Sequence, residues 1–218
     1  MSTNKKVINV VWFKRDLRLQ DNEAVFNASK TGIPTLLLYV FEKSLEHDSH
    51  YSARHWNFIK QSIVDINTQL QRFNTHVLAV SSEVIQVMNI IEETYKIENV
   101  FSHQETGIKI TYERDKSFKR FCKNNRINWV ENINNGIFRG LQNRANWVSN
   151  WEQYMNEPLF VFDPKEEHFI KNSEIIELEN ILDKTNLETV PDAIFQKGGS
   201  TMAGKYLKTF FDDRYHHY

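Results

Sequence analysis

A five-stranded, doubly wound parallel sheet of the Rossmann-like α/β class is the fold this chain predicts, and three observations carry the prediction. Short apolar runs rich in β-branched and aromatic residues alternate with stretches of helical spacing through residues 5–135. Each run is unbroken, as a strand buried on both faces requires. Regular strand–helix alternation also favours parallel pairing through right-handed crossovers.

The strand runs are Val7–Phe13, Ile33–Phe41, His76–Val80, Asn99–Ser102 and Ile127–Ile133. The first ends in Lys14-Arg15-Asp16-Leu17-Arg18, and a helix start is expected at Asp21. Trp56, Ile59, Ile63, Ile66, Leu70 and Phe73 step by three and four, laying one stripe along a helix from Ser52 to Phe73. Val84, Met88, Ile91 and Tyr95 mark a second helix, and Phe118, Phe121 and Cys122 a third. After Gly136, Trp147, Trp151 and Tyr154 repeat the helical spacing. From Pro158 the texture changes to an acidic segment read as a linker, with a short helix around Ser173–Leu182. Gly198-Gly199-Ser200 is a turn signal, and Thr201–Asp212 reads as an amphipathic helix.

Bulk properties narrow the function classes. At 218 residues the chain is long enough to bury a sizeable core. A net charge of −1 excludes strong overall attraction to nucleic acid, so any such contact is local. Glu113–Arg144 carries eight Lys/Arg against three Asp/Glu, whereas Lys165–Asp192 carries three against eight. A solvated helix face is the favoured reading of the basic stretch Arg114–Arg126, ahead of a DNA contact. One cysteine, Cys122, forms no internal disulfide, which fits a reducing cytoplasm; on its apolar stripe it reads as core. The longest apolar run, Leu36–Phe41, is far too short to span a bilayer, and the N-terminus lacks a signal-peptide apolar region. Neither GxGxxG nor GxxxxGK[ST] occurs, and no His/Cys grouping has metal-ligand spacing.

Candidate site residues collect where strands end. Lys14, Arg15, Asp16 and Arg18, at the carboxyl end of the first strand, suit an anion such as phosphate or carboxylate. Equally, Asp16 paired with Arg15 or Arg18 would lock the loop while Asp21 caps the helix. Arg54 lies at a helix start, where a cation is mildly unfavourable for the dipole, and it reads either as a ligand contact or as an exposed first-turn residue. His103, Gln104 and Glu105 follow the fourth strand and offer an imidazole, an amide and a carboxylate suited to a heteroaromatic ring; His103 alone reads as well as a satisfied loop histidine.

The order Trp12-Phe13-Lys14-Arg15-Asp16-Leu17-Arg18, followed by Asp21-Asn22, resembles the opening signature of the DNA photolyase/cryptochrome family. Gly198, Gly199, Leu207, Phe210, Arg214 and Tyr218 look like that family's entry into its second, all-helical domain. The resemblance covers Val7 to about Asp163 and Gly198 to Tyr218, and it divides the chain into an α/β domain (1–163), an acidic interdomain linker (164–197) and the start of a helical FAD-binding domain (198–218). The chain is then expected to be the front piece of a longer protein. Asn135-Gly136-Ile137-Phe138-Arg139-Gly140 and the Trp147–Trp151 stretch look more like a bacterial subgroup.

What the resemblance implies is a deoxyribodipyrimidine photolyase-like flavoprotein. An antenna chromophore of folate, deazaflavin, FMN or lumazine type absorbs light and passes excitation to FAD, which repairs pyrimidine dimers flipped out of DNA. On that reading Lys14, Arg15, Asp16, Arg18, Arg54, His103, Gln104 and Glu105 line the antenna cleft, with the Arg114-Asp115 pair beside it. Tyr218 edges the FAD site. No catalytic residue and no metal site is expected in this segment, which alone should not repair DNA. Its partners are its own C-terminal FAD domain and, through that domain, damaged DNA; no membrane is involved. Two other readings are a cryptochrome-type blue-light sensor without repair activity and a stand-alone nucleotide-binding α/β module. The last would need a glycine-rich phosphate loop.

Overall fold

The apolar runs become strands β1 (Lys6–Phe13), β2 (Thr35–Glu42), β3 (Leu78–Ser82), β4 (Tyr95–His103) and β5 (Asn128–Asn132) in a computed structural model describing residues 5–191 and 194–217. They form one sheet in the order β3-β2-β1-β4-β5, every pairing parallel. The winding reverses between β1 and β4, so the carboxyl ends of these strands mark the switch point where open α/β sheets place ligands.

Helices α1 (Glu23–Ser29), α2 (a single turn, Lys43–Glu46), α3 (Ala53–Leu70), α4 (Val84–Thr94) and α5 (Lys109–Asn125) connect the strands. Ile63, Ile66 and Leu70 of α3 pack with Ala24, Val25 and Ala28 of α1 on one face of the sheet. Val84, Val87, Met88 and Ile91 of α4 pack with Phe118, Phe121 and Cys122 of α5 on the other. Every residue of β2 is buried, whereas the edge strand β5 is mostly half-buried. Cys122 is part of this core, and burial pushes its thiol up to about 12, far from a nucleophile's range.

Element boundaries moved where one residue serves two patterns. Tyr95 completes the stripe of α4 but is already extended; it caps that helix and opens β4, four residues earlier than the apolar run predicts. Phe73 falls in a tighter turn after α3 ends at Leu70. The predicted cap at Asp21 shifts by one residue. Asp21 takes a left-handed conformation (φ 49°), and Asn22 caps α1 by accepting from the Val25 N–H at 3.1 Å.

Beyond β5 come α6 (Trp147–Met155), α7 (Asn172–Glu179) and α8 (Ser200–Thr209). The acidic segment lies against the sheet: Phe169, Ile170, Ile175, Leu178 and Leu182 are buried. Lys6 Nζ and Glu174 Oε1, 2.7 Å apart, pin α7 to the start of β1. Gly198 and Gly199 bring the start of α8 onto α3, where Asp65 Oδ2 accepts from Ser200 Oγ at 3.0 Å and the Thr201 N–H at 3.2 Å. The far side of α8 and the turns after it leave Leu207, Phe211 and Tyr215 exposed. Tyr218 lies outside the described residues. Among the described residues no helix is long and apolar enough to cross a membrane, and no cluster of His, Cys, Asp or Glu suits a metal ion.

Candidate functional site

A cavity of about 530 Å³ opens above the carboxyl ends of β1 and β2, between the start of α3 and α5. Trp12, Tyr39, Tyr51, Trp56 and Phe195 supply aromatic surface, and Tyr51 stacks on Trp56 with ring centroids 4.9 Å apart. Lys14, Arg15, Glu42, Arg54, Glu105 and Arg114 supply charge. The volume falls in the range of roughly 300–1,000 Å³ usual for small-molecule sites.

The charged residues form one connected network. Arg114, on α5, donates through Nη1 to Glu42 Oε2 at 2.5 Å and through Nε to Asp115 Oδ1 at 3.0 Å. Its Nη2 lies 3.5 Å from Glu105 Oε2. Lys14 Nζ donates to Asp115 Oδ2 at 3.0 Å and sits over the rings of Trp12 and Trp129 at 4.4 and 5.4 Å. Arg114 also lies over Trp12, at 4.8 Å. Arg15 Nε lies 3.0 Å from Glu105 Oε1, and its Nη2 donates to the Tyr51 hydroxyl at 3.3 Å. Burial pushes the Glu42 carboxyl up, against the pull of Arg114; it pushes Lys14 down, against Asp115.

Among the described residues that line this cavity, two buried carboxylate oxygens have no hydrogen-bond donor, Glu42 Oε1 and Glu105 Oε1. Arg15 Nε is close enough to Glu105 Oε1 for charge attraction but is not aligned to donate. Gly107 makes that contact possible, because a Cβ there would stand 2.4 Å from Arg15 Nη2 and 2.7 Å from Glu105 Oε1.

The residues expected at the cleft divide into groups. Lys14, Arg15, Arg54 and Glu105 line the cavity, with Arg54 over the Phe195 ring at 4.5 Å. Asp16 does not pair with Arg15 or Arg18. It is buried at the switch point, accepting from His103 Nδ1 at 2.5 Å, from the Lys14 N–H at 2.9 Å and from Asn22 Nδ2 at 3.2 Å. This pair bolts the end of β1 to the end of β4. Burial alone would raise the Asp16 carboxyl; the His103 and Lys14 hydrogen bonds hold it below the usual range instead. Arg18 donates to the Asp21 carbonyl at 2.6 Å, and with His103 it borders a separate, smaller pocket of about 120 Å³. Gln104 faces the β5 side, where its Oε1 accepts from Arg139 Nε at 3.2 Å.

Glu42, Tyr39, Tyr51 and Trp56 also line the cavity, and the sequence reading did not single them out for it. The signal for Glu42 was present: a lone carboxylate ends the apolar run of β2, the position that strand geometry carries to the ligand edge. Tyr39 and Trp56 are hidden in sequence because each also completes an apolar pattern.

Similarity to known proteins agrees with this geometry. Residues 9–138, more than half of the chain, match the family model described as DNA photolyase. The chain belongs to the DNA photolyase family. Its described fold is the family's α/β domain. Over 107 residues this photolyase-family chain is 25% identical to "Cryptochrome DASH, chloroplastic/mitochondrial" of Arabidopsis thaliana, covering 46% of this chain and 19% of that protein. It is 25% identical over 136 residues to "Cryptochrome-1" of Drosophila melanogaster, covering 60% and 25% respectively. Its fold is similar to the cryptochrome of Synechocystis sp. PCC6803, with TM-score 0.69 and 18% identity, covering 97% of this chain and 50% of that one. It is also similar to an archaeal photolyase from Sulfolobus tokodaii crystallised with two FAD molecules, with TM-score 0.67 and 16% identity over 92% of this chain and 45% of that one. The chain therefore matches about a fifth to a quarter of the length of these curated relatives and about half of these solved ones.

Proposed function

We propose that this chain is the antenna-binding α/β domain of a photolyase-like flavoprotein, with residues 1–163 as the domain, 164–197 as the connection and 198–218 as the start of a helical FAD-binding domain. The cavity above β1 and β2 is the observation that carries this reading. Its aromatic walls suit stacking on a heteroaromatic ring, and Arg15 and Arg54 at its mouth suit a negatively charged substituent. Those features fit a light-harvesting chromophore of the folate, deazaflavin, FMN or lumazine type. The Sulfolobus tokodaii photolyase, whose two FAD molecules imply a novel light-harvesting cofactor in that protein, supports the same role.

When bound, the chromophore supplies absorption in the near ultraviolet or blue, and FAD in the helical domain supplies electron transfer to a pyrimidine dimer in DNA. The chain's own contribution is to hold the ring. Tyr51 and Trp56 would stack on it, the Arg114-centred network would lie at its polar edge, and Arg15 and Arg54 would meet any negative charge it carries at the mouth. A second reading, a blue-light sensor without repair, is favoured by the cryptochrome names of the curated relatives.

The test is an absorption spectrum with mass analysis of released small molecules, on this chain and on a form extended through the helical domain. A near-ultraviolet or blue chromophore common to both, with flavin in the longer form, is expected. No chromophore in either form, even after reconstitution, overturns the reading. Dimer cleavage under blue light by the longer form separates repair from sensing.

A further inference from the structure

Asn57, Gln61, Asp65 and Gln69 recur every four residues along α3 and form one polar stripe beside the apolar stripe that meets the sheet. Each member holds the segment that follows α7. Asn57 donates to the Val190 carbonyl at 2.8 Å and accepts from its N–H at 2.9 Å. Gln61 Oε1 accepts from the Gly198 N–H at 2.7 Å. Asp65 Oδ2 accepts from Ser200 Oγ and the Thr201 N–H, and Gln69 Nε2 donates to Ser200 Oγ at 3.1 Å. Gly199 precedes α8 without a side chain to cap it, so the Asp65 carboxylate supplies the cap from α3 and meets the positive end of the helix. Only a glycine allows that approach, because a Cβ at Gly199 would stand 2.7 Å from the Asp65 Cβ.

Phe195 lies three residues ahead of Gly198 and lines the cavity above β1 and β2, together with Ile194 and Gln196. Between them the Lys197 N–H donates to the Tyr206 hydroxyl of α8 at 3.0 Å. The cavity wall is therefore continuous with the seat of α8. We propose that Asp65 is a positioning residue for the cavity. By seating the start of α8 it holds Phe195 in the wall, so a bound ring and the docking of α8 stabilise each other. The inference rests on the antenna reading above and adds a coupling to it, whichever ring is bound. Asp65 is not among the residues lining the cavity, so its effect on a ring passes through the connection. Linkage makes that effect reciprocal: docking tightens ring binding by the same factor as the ring tightens docking, commonly about 5- to 150-fold.

The experiment takes two readings on the full chain with FMN as probe: its affinity, from fluorescence, and hydrogen exchange at the Thr201 amide with and without it. Saturating FMN is expected to slow exchange at Thr201 in the wild-type chain by about 5- to 10-fold, the lower part of the range for coupled sites. Asp65→Ala is expected to weaken FMN by a similar factor and to abolish the slowing. Asp65→Asn, which keeps an acceptor oxygen, is expected to restore most of both. A thermal melt establishes that the variants fold, and the wild-type exchange reading stands whether or not they do. FMN binding without a change at Thr201 overturns the coupling and leaves the antenna reading intact; so does an unchanged FMN affinity in a folded Asp65→Ala variant. If FMN does not bind, 5,10-methenyltetrahydrofolate and a deazaflavin take its place in the same readings. Binding of none of the three defeats the antenna reading and this inference with it.

Discussion

Arg114 and Glu42 are 72 positions apart in sequence, yet the guanidinium from α5 donates to the carboxylate ending β2 at 2.5 Å, above the intervening end of β1. The pair ties two sheet connections together and forms the floor of the cavity. Removing one member of a buried ion pair strands the other, which costs roughly 3–5 kcal/mol. Arg114→Met is therefore expected to lower unfolding free energy by about that amount in urea titrations, because Glu42 and Glu105 both lose their shared cation. A change near zero would show that solvent reaches the carboxylates and that the floor is open.

Glu42 also gives the fold a pH dependence. Its folded-state carboxyl is raised by burial, so the proton it takes up stabilises the fold at low pH, and that stabilisation is lost as pH rises from about 4.5 through the raised folded value. Glu42→Gln removes this titration. Plotted against pH, wild-type stability should fall relative to the variant across that window; parallel curves would contradict the raised carboxyl.

The buried Asp16–His103 pair predicts the opposite slope. Asp16 is held below its ordinary value, so the stability it contributes is present above about pH 3.8 and is lost as pH falls through the lower folded value. Asp16→Asn is expected to cost roughly 3 kcal/mol at pH 7, since His103 loses its charged partner in a buried site. Chemical unfolding of the two proteins should begin to converge as pH falls below about 3.8 and meet only below the lowered folded value. A gap that stays constant with pH would mean Asp16 acts by shape alone.

At Gly198 the prediction concerns docking of α8. A Cβ there would stand 2.3 Å from the backbone carbonyl oxygen of Phe58, which cannot swing aside as a side chain can. Gly198→Ala should release the start of α8 from α3, raising amide exchange and protease cleavage around 196–205 while the sheet stays protected. Unchanged protection at Thr201, whose N–H donates to Asp65, would refute it.

Gly107→Ala probes the cavity mouth. The new Cβ would overlap Arg15 Nη2, the end of a half-exposed chain able to move, and Glu105 Oε1, which is buried. A modest loss of about 1 kcal/mol is expected from this crowding, together with displacement of Arg15 and weaker binding of any ring carrying a phosphate or carboxylate tail. Urea unfolding, and equilibrium titration with FMN against riboflavin, measure the two effects.

Periodicity by itself determined most of the architecture. Short unbroken apolar runs suit strands covered on both faces, and their alternation with helical stretches favours a parallel sheet with helices on either side. It also determined that strand ends would carry the polar residues, and the order of residues from Trp12 to Asn22 pointed to the family. Tertiary structure decided which polar residues meet. Lys14 and His103 both follow or end strands and look equivalent in sequence; one lines the cavity and pairs with Asp115 behind it, while the other turns to Asp16 and closes the switch point. Glu42 was legible only as the end of a strand, because its importance comes from Arg114, which arrives from another connection. Local pattern records whether a side chain prefers water or the core. Partner choice among buried charges depends on strand order and crossover path, and those exist only once the sheet has formed.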